Sequence, residues 1–249
     1  MRSAGCIIND IIDKDFDKKI QRTKNRPLAS NLLTQKQAFI AFFVFLSIGA
    51  IVWIQLNQAA KYASVIAGIM MVIYPFMKRF TYWPQLFLGF TFNSGLIIAF
   101  LHVAEVTWTG PLESIFCSMG MLVRYIWPIL MALVLWTIFY DTIYAFADIK
   151  DDQKANVKST AILMQRAPKT WLTLVNILSH LLLFWFLLPW GWLGGIPSFL
   201  GFIFLQILLK NWDPNNPENS IKIFAQCHYW GLIEFLWILV IRIFSPYGV

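Results

Sequence analysis

The sequence predicts an all-α fold, a polytopic membrane bundle of seven complete spans preceded by one partial N-terminal helix. Three observations predict it. Of 249 residues, 58% are hydrophobic and only 13% charged, where soluble domains carry about 25% charged residues. Apolar stretches of roughly the 17–25 residues a bilayer requires recur along the chain. The lysines and arginines are gathered into alternate connections between those stretches, as expected when successive loops lie on opposite sides of a membrane.

Residues 1–12 (MRSAGCIINDII) are apolar but too short to cross, so they read as the end of a helix. A polar, basic stretch follows from Asp13 to about Gln37. Apolar segments then run over 38–56, 62–77, 86–104, 120–144, 170–189, 192–209 and 225–244. Trp and Tyr often stand near their ends, where membrane interfaces favour them. Pro84, Pro111, Pro168, Pro189, Pro197 and Pro217 are expected in or beside the connections, because proline ends helices. No repeat or low-complexity linker divides the chain, which predicts a single membrane domain over 1–249.

Four basic loops set the orientation: Lys14 to Lys36, then Lys78 and Arg79, then Lys150 to Lys169, then Lys210 and Lys222. The opposite loops offer only Lys61, with Arg124 and Arg242 near helix ends. The positive-inside rule places the basic loops in the cytoplasm. This distribution also argues that the net charge of +7 is a topology signal and not a nucleic-acid footprint. Cys6, Cys117 and Cys227 lack zinc or redox spacing, and His102, His180 and His228 are isolated, so neither set predicts a metal centre.

The acidic residues carry the chemistry. Of thirteen, eight fall in two short stretches, Asp10, Asp13, Asp15 and Asp17 and then Asp141, Asp148, Asp151 and Asp152, each at the cytoplasmic end of an apolar helix. Charge at such an end is costly unless it meets water, cations or partners. Asn9, Asp13 and Asp17 follow an i, i+4, i+8 spacing that keeps them on one helical face, drifting by about 40° per step. On a continuous helix, Asp141, Asp148 and Asp152 stay within about 20° of one line. Two facing carboxylate ladders repel unless a cation lies between them, and oxygen-only ligands favour a hard cation such as Mg²⁺. Arg22, Lys24 and Arg26 follow the first ladder, Lys158 follows the second, and Lys78 and Arg79 are expected in the loop between. Mg²⁺ with arginine and lysine is a combination that grips diphosphate. No Walker or dinucleotide glycine fingerprint is present, so an apolar-tailed diphosphate fits better than a nucleotide.

These residues resemble a known pattern. The stretch NDIIDKDFD over 9–17, continued by RTKNRPLAS over 22–30, looks like the first aspartate motif of the UbiA superfamily of intramembrane prenyltransferases. Tyr140, Asp141, Tyr144, Asp148, Asp151, Asp152 and the KST of 158–160 look like the second. YPFMKRFT over 74–81, with Pro84 and Gln85, resembles the loop of the 4-hydroxybenzoate branch. The resemblance covers essentially the whole chain. It implies nine helices in the full family fold around a central cavity, with Mg²⁺ held by both motifs and a polyprenyl diphosphate bound to the metal. It further implies transfer of the prenyl group to 4-hydroxybenzoate, ortho to its hydroxyl, on the route to ubiquinone. The setting is a bacterial or mitochondrial inner membrane, with the active-site loops on the cytoplasmic or matrix side. The family has a complete helix and most of a second before the first motif, so the chain is expected to be N-terminally truncated relative to it, through a late start or a shortened gene.

On this reading Asn9, Asp13 and Asp17 position one Mg²⁺, and Asp148 and Asp152 another. Arg22, Arg26 and Lys158 contact the diphosphate. Arg79 takes the acceptor carboxylate, and Asp141 draws the phenol proton. Trp136, Phe139, Tyr140 and Tyr144 are candidate walls that shield an allylic cation. The alternatives are another aromatic acceptor, an inactive remnant, or a cation or phosphate transporter. A transporter more naturally places its ionisable groups near mid-membrane than at one surface.

Overall fold

The computed structural model describes residues 2–18, 20, 22–104, 120 and 122–244; Lys19, Pro111 and Cys117 lie outside them. Among the described residues every regular element is helical, and seven helices are long and apolar enough to cross a membrane. The chain divides into two compact units, residues 1–120 with 148–158, and residues 121–147 with 159–249.

The first unit holds α1 (Arg2–Asp17), α2 (Gln35–Ile54), α3 (Gln58–Phe80), α4 (Pro84–Val103) and, from the later segment, the short α6 (Ile149–Lys154). α1 packs on α2 and α3, and α3 packs on α4. The approach of α1 to α3 is close at Gly5, where a Cβ would come within 2.9 Å of the Met71 sulfur. Thr34 starts α2 with a capping box: its Oγ1 accepts from the Gln37 N–H at 3.3 Å, and Gln37 Oε1 accepts from the Thr34 N–H at 2.9 Å. Asn57 caps α3 through Ala60 N–H and donates from Nδ2 to the Leu101 carbonyl at 2.8 Å, joining the α2–α3 turn to the end of α4. His102 Nδ1 accepts from the Asn57 N–H at 3.3 Å and so braces this turn. Large apolar side chains of α2 face outward, with Ile40 57% and Ile51 63% exposed. Such a surface is compatible with lipid and not with water.

The second unit holds α5 (Trp127–Ala145), entered through a wider π-helical turn over Leu122–Ile126, then α7 (Thr160–Met164), α8 (Pro168–Leu187), α9 (Gly191–Asn211) and α10 (Pro217–Phe244). α5 packs on α8, α8 on α9, α9 on α10 and α10 back on α5, closing a four-helix ring. Glycine permits two close crossings, since a Cβ at Gly201 would stand 2.0 Å from Trp230 and one at Gly231 would stand 2.5 Å from Trp136. Small polar residues tie the ring: Ser179 Oγ donates to the Ala132 carbonyl and Ser198 Oγ to the His180 carbonyl, each at 2.8 Å. Both devices are those of helix pairs in lipid, where burial of apolar area gives little drive.

The structure corrects three expectations. Pro197 lies inside α9 and not in a connection. A proline there leaves the carbonyl four residues earlier without its donor, and that carbonyl, of Leu193, accepts from Trp237 Nε1 at 2.9 Å. The last span begins at Pro217 and not near residue 225, because buried Trp212 donates to Ser220 Oγ at 2.9 Å and fixes the turn just before it. Lys78 and Arg79 are in the last turn of α3 and not in a loop.

Candidate active site

Both acidic stretches, apart from Asp141, fall within the first compact unit. On α1, Asn9 is half-buried while Asp13 and Asp17 are buried at 3% and 6% exposure, so the i, i+4, i+8 row faces inward. The segment after α1 folds back over this face. Thr23 Oγ1 donates to the Asp17 carbonyl at 3.1 Å, and Arg26 Nη1 donates to Asp10 Oδ1 and to Asp17 Oδ2, each at 3.0 Å. One guanidinium therefore bridges two carboxylates seven residues apart. Seven residues are nearly two helical turns, which brings them onto one side of the rod.

The second acidic stretch departs from expectation. Helix α5 ends at Ala145, and Asp148 sits at the N-cap position of the separate helix α6. The continuous helix assumed for Asp141, Asp148 and Asp152 is therefore broken, and Asp141 belongs to the other compact unit. Two long-range contacts hold the break. Phe146 is buried edge-to-face on Trp212, with ring centroids 4.9 Å apart. Asp148, two residues on, is gripped by Arg22, whose Nε lies 2.9 and 3.0 Å from its two oxygens and whose Nη2 also donates to it. Asp152, one turn along α6, is half-buried. Burial, reinforced by the charge of Asp148, pushes its carboxyl up to about 7 against the opposing pull of Lys78 and Arg22.

Lys78, named in the sequence only as one of the basic residues between the ladders, is in direct contact with the first of them. Its ammonium donates to Asp13 Oδ2, and its charge also acts on Asp152. Its carbonyl accepts from the Lys158 N–H at 2.8 Å, while Lys158 Nζ donates to the Phe80 carbonyl at 3.2 Å and lies over the Tyr82 ring. Lys158 thus caps the end of α3 and ties the segment after α6 to it. The available signal was positional, since Lys78 closes an apolar helix that packs on α1.

Arg79 is exposed, its guanidinium carbon 5.0 Å from the Phe16 ring centroid and 5.4 Å from that of Phe76. In the second unit, Tyr140 and Tyr144 of α5 pack on Phe224 of α10, and Trp136 meets Tyr140 edge-to-face. Phe139 is 1% exposed and lies in the core.

The donor set around α1 and α6 suits a hard cation. All its candidate ligands are carboxylate or amide oxygens, and Asp13 Oδ1 is buried without a hydrogen-bond partner. Among the described residues, however, no three His, Cys, Asp or Glu side chains converge closely enough to hold a metal by themselves. Basic side chains occupy the carboxylates instead: Lys78 on Asp13, Arg26 on Asp10 and Asp17, and Arg22 on Asp148.

The model of the UbiA prenyltransferase family matches residues 1–239. The chain is 36% identical over 245 residues to the 4-hydroxybenzoate octaprenyltransferase of Colwellia psychrerythraea, covering 96% of this chain and 79% of that protein. It is 37% identical over 246 residues to the 4-hydroxybenzoate octaprenyltransferase of Haemophilus ducreyi, covering 96% and 82%. Its fold resembles the apo structure of a UbiA homologue from Aeropyrum pernix K1, with a TM-score of 0.77 at 22% identity over 96% of this chain and 84% of that one.

Proposed function

The chain belongs to the UbiA prenyltransferase family, and from that premise we propose that it transfers a polyprenyl group from its diphosphate to 4-hydroxybenzoate, ortho to the hydroxyl, using Mg²⁺. The observation that carries this reading is that Asp10, Asp13 and Asp17 share one compact unit with Asp148, Asp151 and Asp152, with Lys78 bonded to Asp13 and its charge acting on Asp152. The acceptor and its place on the route to ubiquinone rest on the relatives that match along most of the chain.

In this mechanism Asn9, Asp13 and Asp17 on α1, with Asp148 and Asp152 beside α6, would hold the metal. Bound Mg²⁺ supplies Lewis-acid neutralisation of the diphosphate as the carbon–oxygen bond breaks. Arg26 and Arg22 hold Asp17 and Asp148 in place, and their guanidinium groups stand beside the site where diphosphate charge develops. Lys158 adds a third cation at the end of α3. Arg79 offers an exposed fork for the acceptor carboxylate, which a guanidinium holds with two parallel bonds. Asp141 is the candidate for drawing the phenol proton on the sequence argument alone. Loss of the ring proton and release of diphosphate balance the transfer. The positive-inside rule puts the acidic end on the cytoplasmic or matrix side.

The test is incubation of membranes with Mg²⁺, 4-hydroxybenzoate and a prenyl diphosphate, with product identified by mass. A prenylated hydroxybenzoate that disappears on chelation is expected. Absence of that mass, or its formation regardless of chelator, rejects the reading.

A further inference from the structure

We propose that Lys78 is a resident counter-ion that the metal must displace, so that metal and diphosphate bind together and the metal alone binds poorly. The inference rests on the metal–diphosphate reading above. Lys78 joins the two acidic stretches: its ammonium is on Asp13 Oδ2, its charge reaches Asp152, and its carbonyl holds the segment after α6 through Lys158. It therefore stands where a cation is needed.

With the ammonium on Oδ2, the Asp13 carboxylate takes a divalent ion on its unpartnered Oδ1 only by bringing two positive charges within several ångströms of each other, since Mg²⁺ ligates at about 2.0–2.1 Å. Asp13 is 3% exposed, so solvent screens that repulsion weakly. Metal entry therefore drives Lys78 off Asp13. The lysine has a flexible four-carbon stem at the end of α3 and a hydrated point charge that needs an anion. Asp152, the other carboxylate its charge reaches, is itself a proposed metal ligand, and the Phe16 ring, 5.7 Å away, offers far less than a carboxylate. A diphosphate arriving with the metal supplies the replacement anion. Each ligand then raises the affinity for the other by the same factor, as linkage requires. Arg26 is shared between Asp17 and Asp10, and Arg22 spans both oxygens of Asp148, so these guanidinium groups are anchored by more than one bond where Lys78 has one, and Lys78 is the cation that yields.

A merely structural Lys78–Asp13 pair predicts the opposite result on truncation, a weaker and looser site. The test uses the full chain in lipid nanodiscs, with Mn²⁺ followed by electron paramagnetic resonance, alone and with inorganic pyrophosphate. Lys78→Gln is expected to bind Mn²⁺ alone about tenfold more tightly than the parent and to lose most of the enhancement by pyrophosphate, within the usual span of coupling between ligands. A folded Lys78→Gln whose affinity for Mn²⁺ alone is unchanged or weaker overturns the proposal. A second measurement needs no variant. Amine-directed footprinting of the parent chain is expected to find Lys78 protected without metal, labelled with Mn²⁺, and protected again with Mn²⁺ and pyrophosphate. Labelling that Mn²⁺ does not alter overturns it equally. Asp13→Asn separates the two failures. If it loses Mn²⁺ while Lys78→Gln shows no gain, the exchange alone is wrong; if it binds Mn²⁺ as well as the parent, the metal reading falls and the exchange falls with it.

Discussion

Arg22 and Asp148 stand 126 residues apart, yet the guanidinium meets both oxygens of the carboxylate. This one pair joins the segment after α1 to the start of α6. It links the neighbourhood of the first acidic stretch to Asp148 across four membrane helices of sequence, within one compact unit. Because the two side chains act as a unit, their effects on turnover are expected to be non-additive. Arg22→Ala with Asp148→Ala should lower kcat/KM by no more than about threefold beyond the worse single variant. Effects that multiply would show the two residues working independently.

The carboxylates proposed as ligands give the most direct test. Asp13→Ala, Asp17→Ala, Asp148→Ala and Asp152→Ala are each expected to reduce prenyl transfer by about 100-fold or more, as loss of a metal ligand does. Turnover assays in membranes, with folding checked by detergent-solubilised yield, read the outcome. Retained activity in any two rejects the metal site.

Arg79 separates acceptor binding from chemistry. Arg79→Ala is expected to raise KM for 4-hydroxybenzoate about tenfold or more and to leave KM for the prenyl diphosphate near the parent value, because only the acceptor has a carboxylate for the guanidinium to fork. An unchanged acceptor KM removes Arg79 from that role.

Packing in the second unit is testable through its glycines. Gly201→Ala places a Cβ 2.0 Å from the Trp230 ring. It should destabilise by about 1–3 kcal/mol, the usual cost of overpacking. Gly68 has nothing within 4 Å of its notional Cβ, so Gly68→Ala should be neutral or slightly stabilising through helix propensity. Thermal unfolding in detergent ranks the two, and an equal effect would contradict the crossing described.

Glu234 lies within the last span, 8% exposed, and neither carboxylate oxygen has a hydrogen-bond partner. A buried polar group without partners opposes folding. Glu234→Leu is therefore expected to raise the unfolding midpoint. A fall would reveal that the carboxyl makes a stabilising contact.

The sequence by itself determined the helical membrane architecture, because in lipid each backbone group must be satisfied within its own segment and long apolar runs leave no other choice. Prolines placed several boundaries: Pro84 and Pro168 stand at the first position of their helices. The first ladder was equally legible, since Asn9, Asp13 and Asp17 share one unbroken helix and their facing follows from 3.6 residues per turn. Other features were decided only by tertiary contacts. The interruption between Asp141 and Asp148 depends on Phe146 meeting Trp212 and on Arg22 meeting Asp148. The seat of Lys78 on Asp13 depends on α3 packing against α1. Local spacing constrains only residues on one continuous element. Which cation neutralises which carboxylate is settled by long-range packing, and helix period carries no record of it.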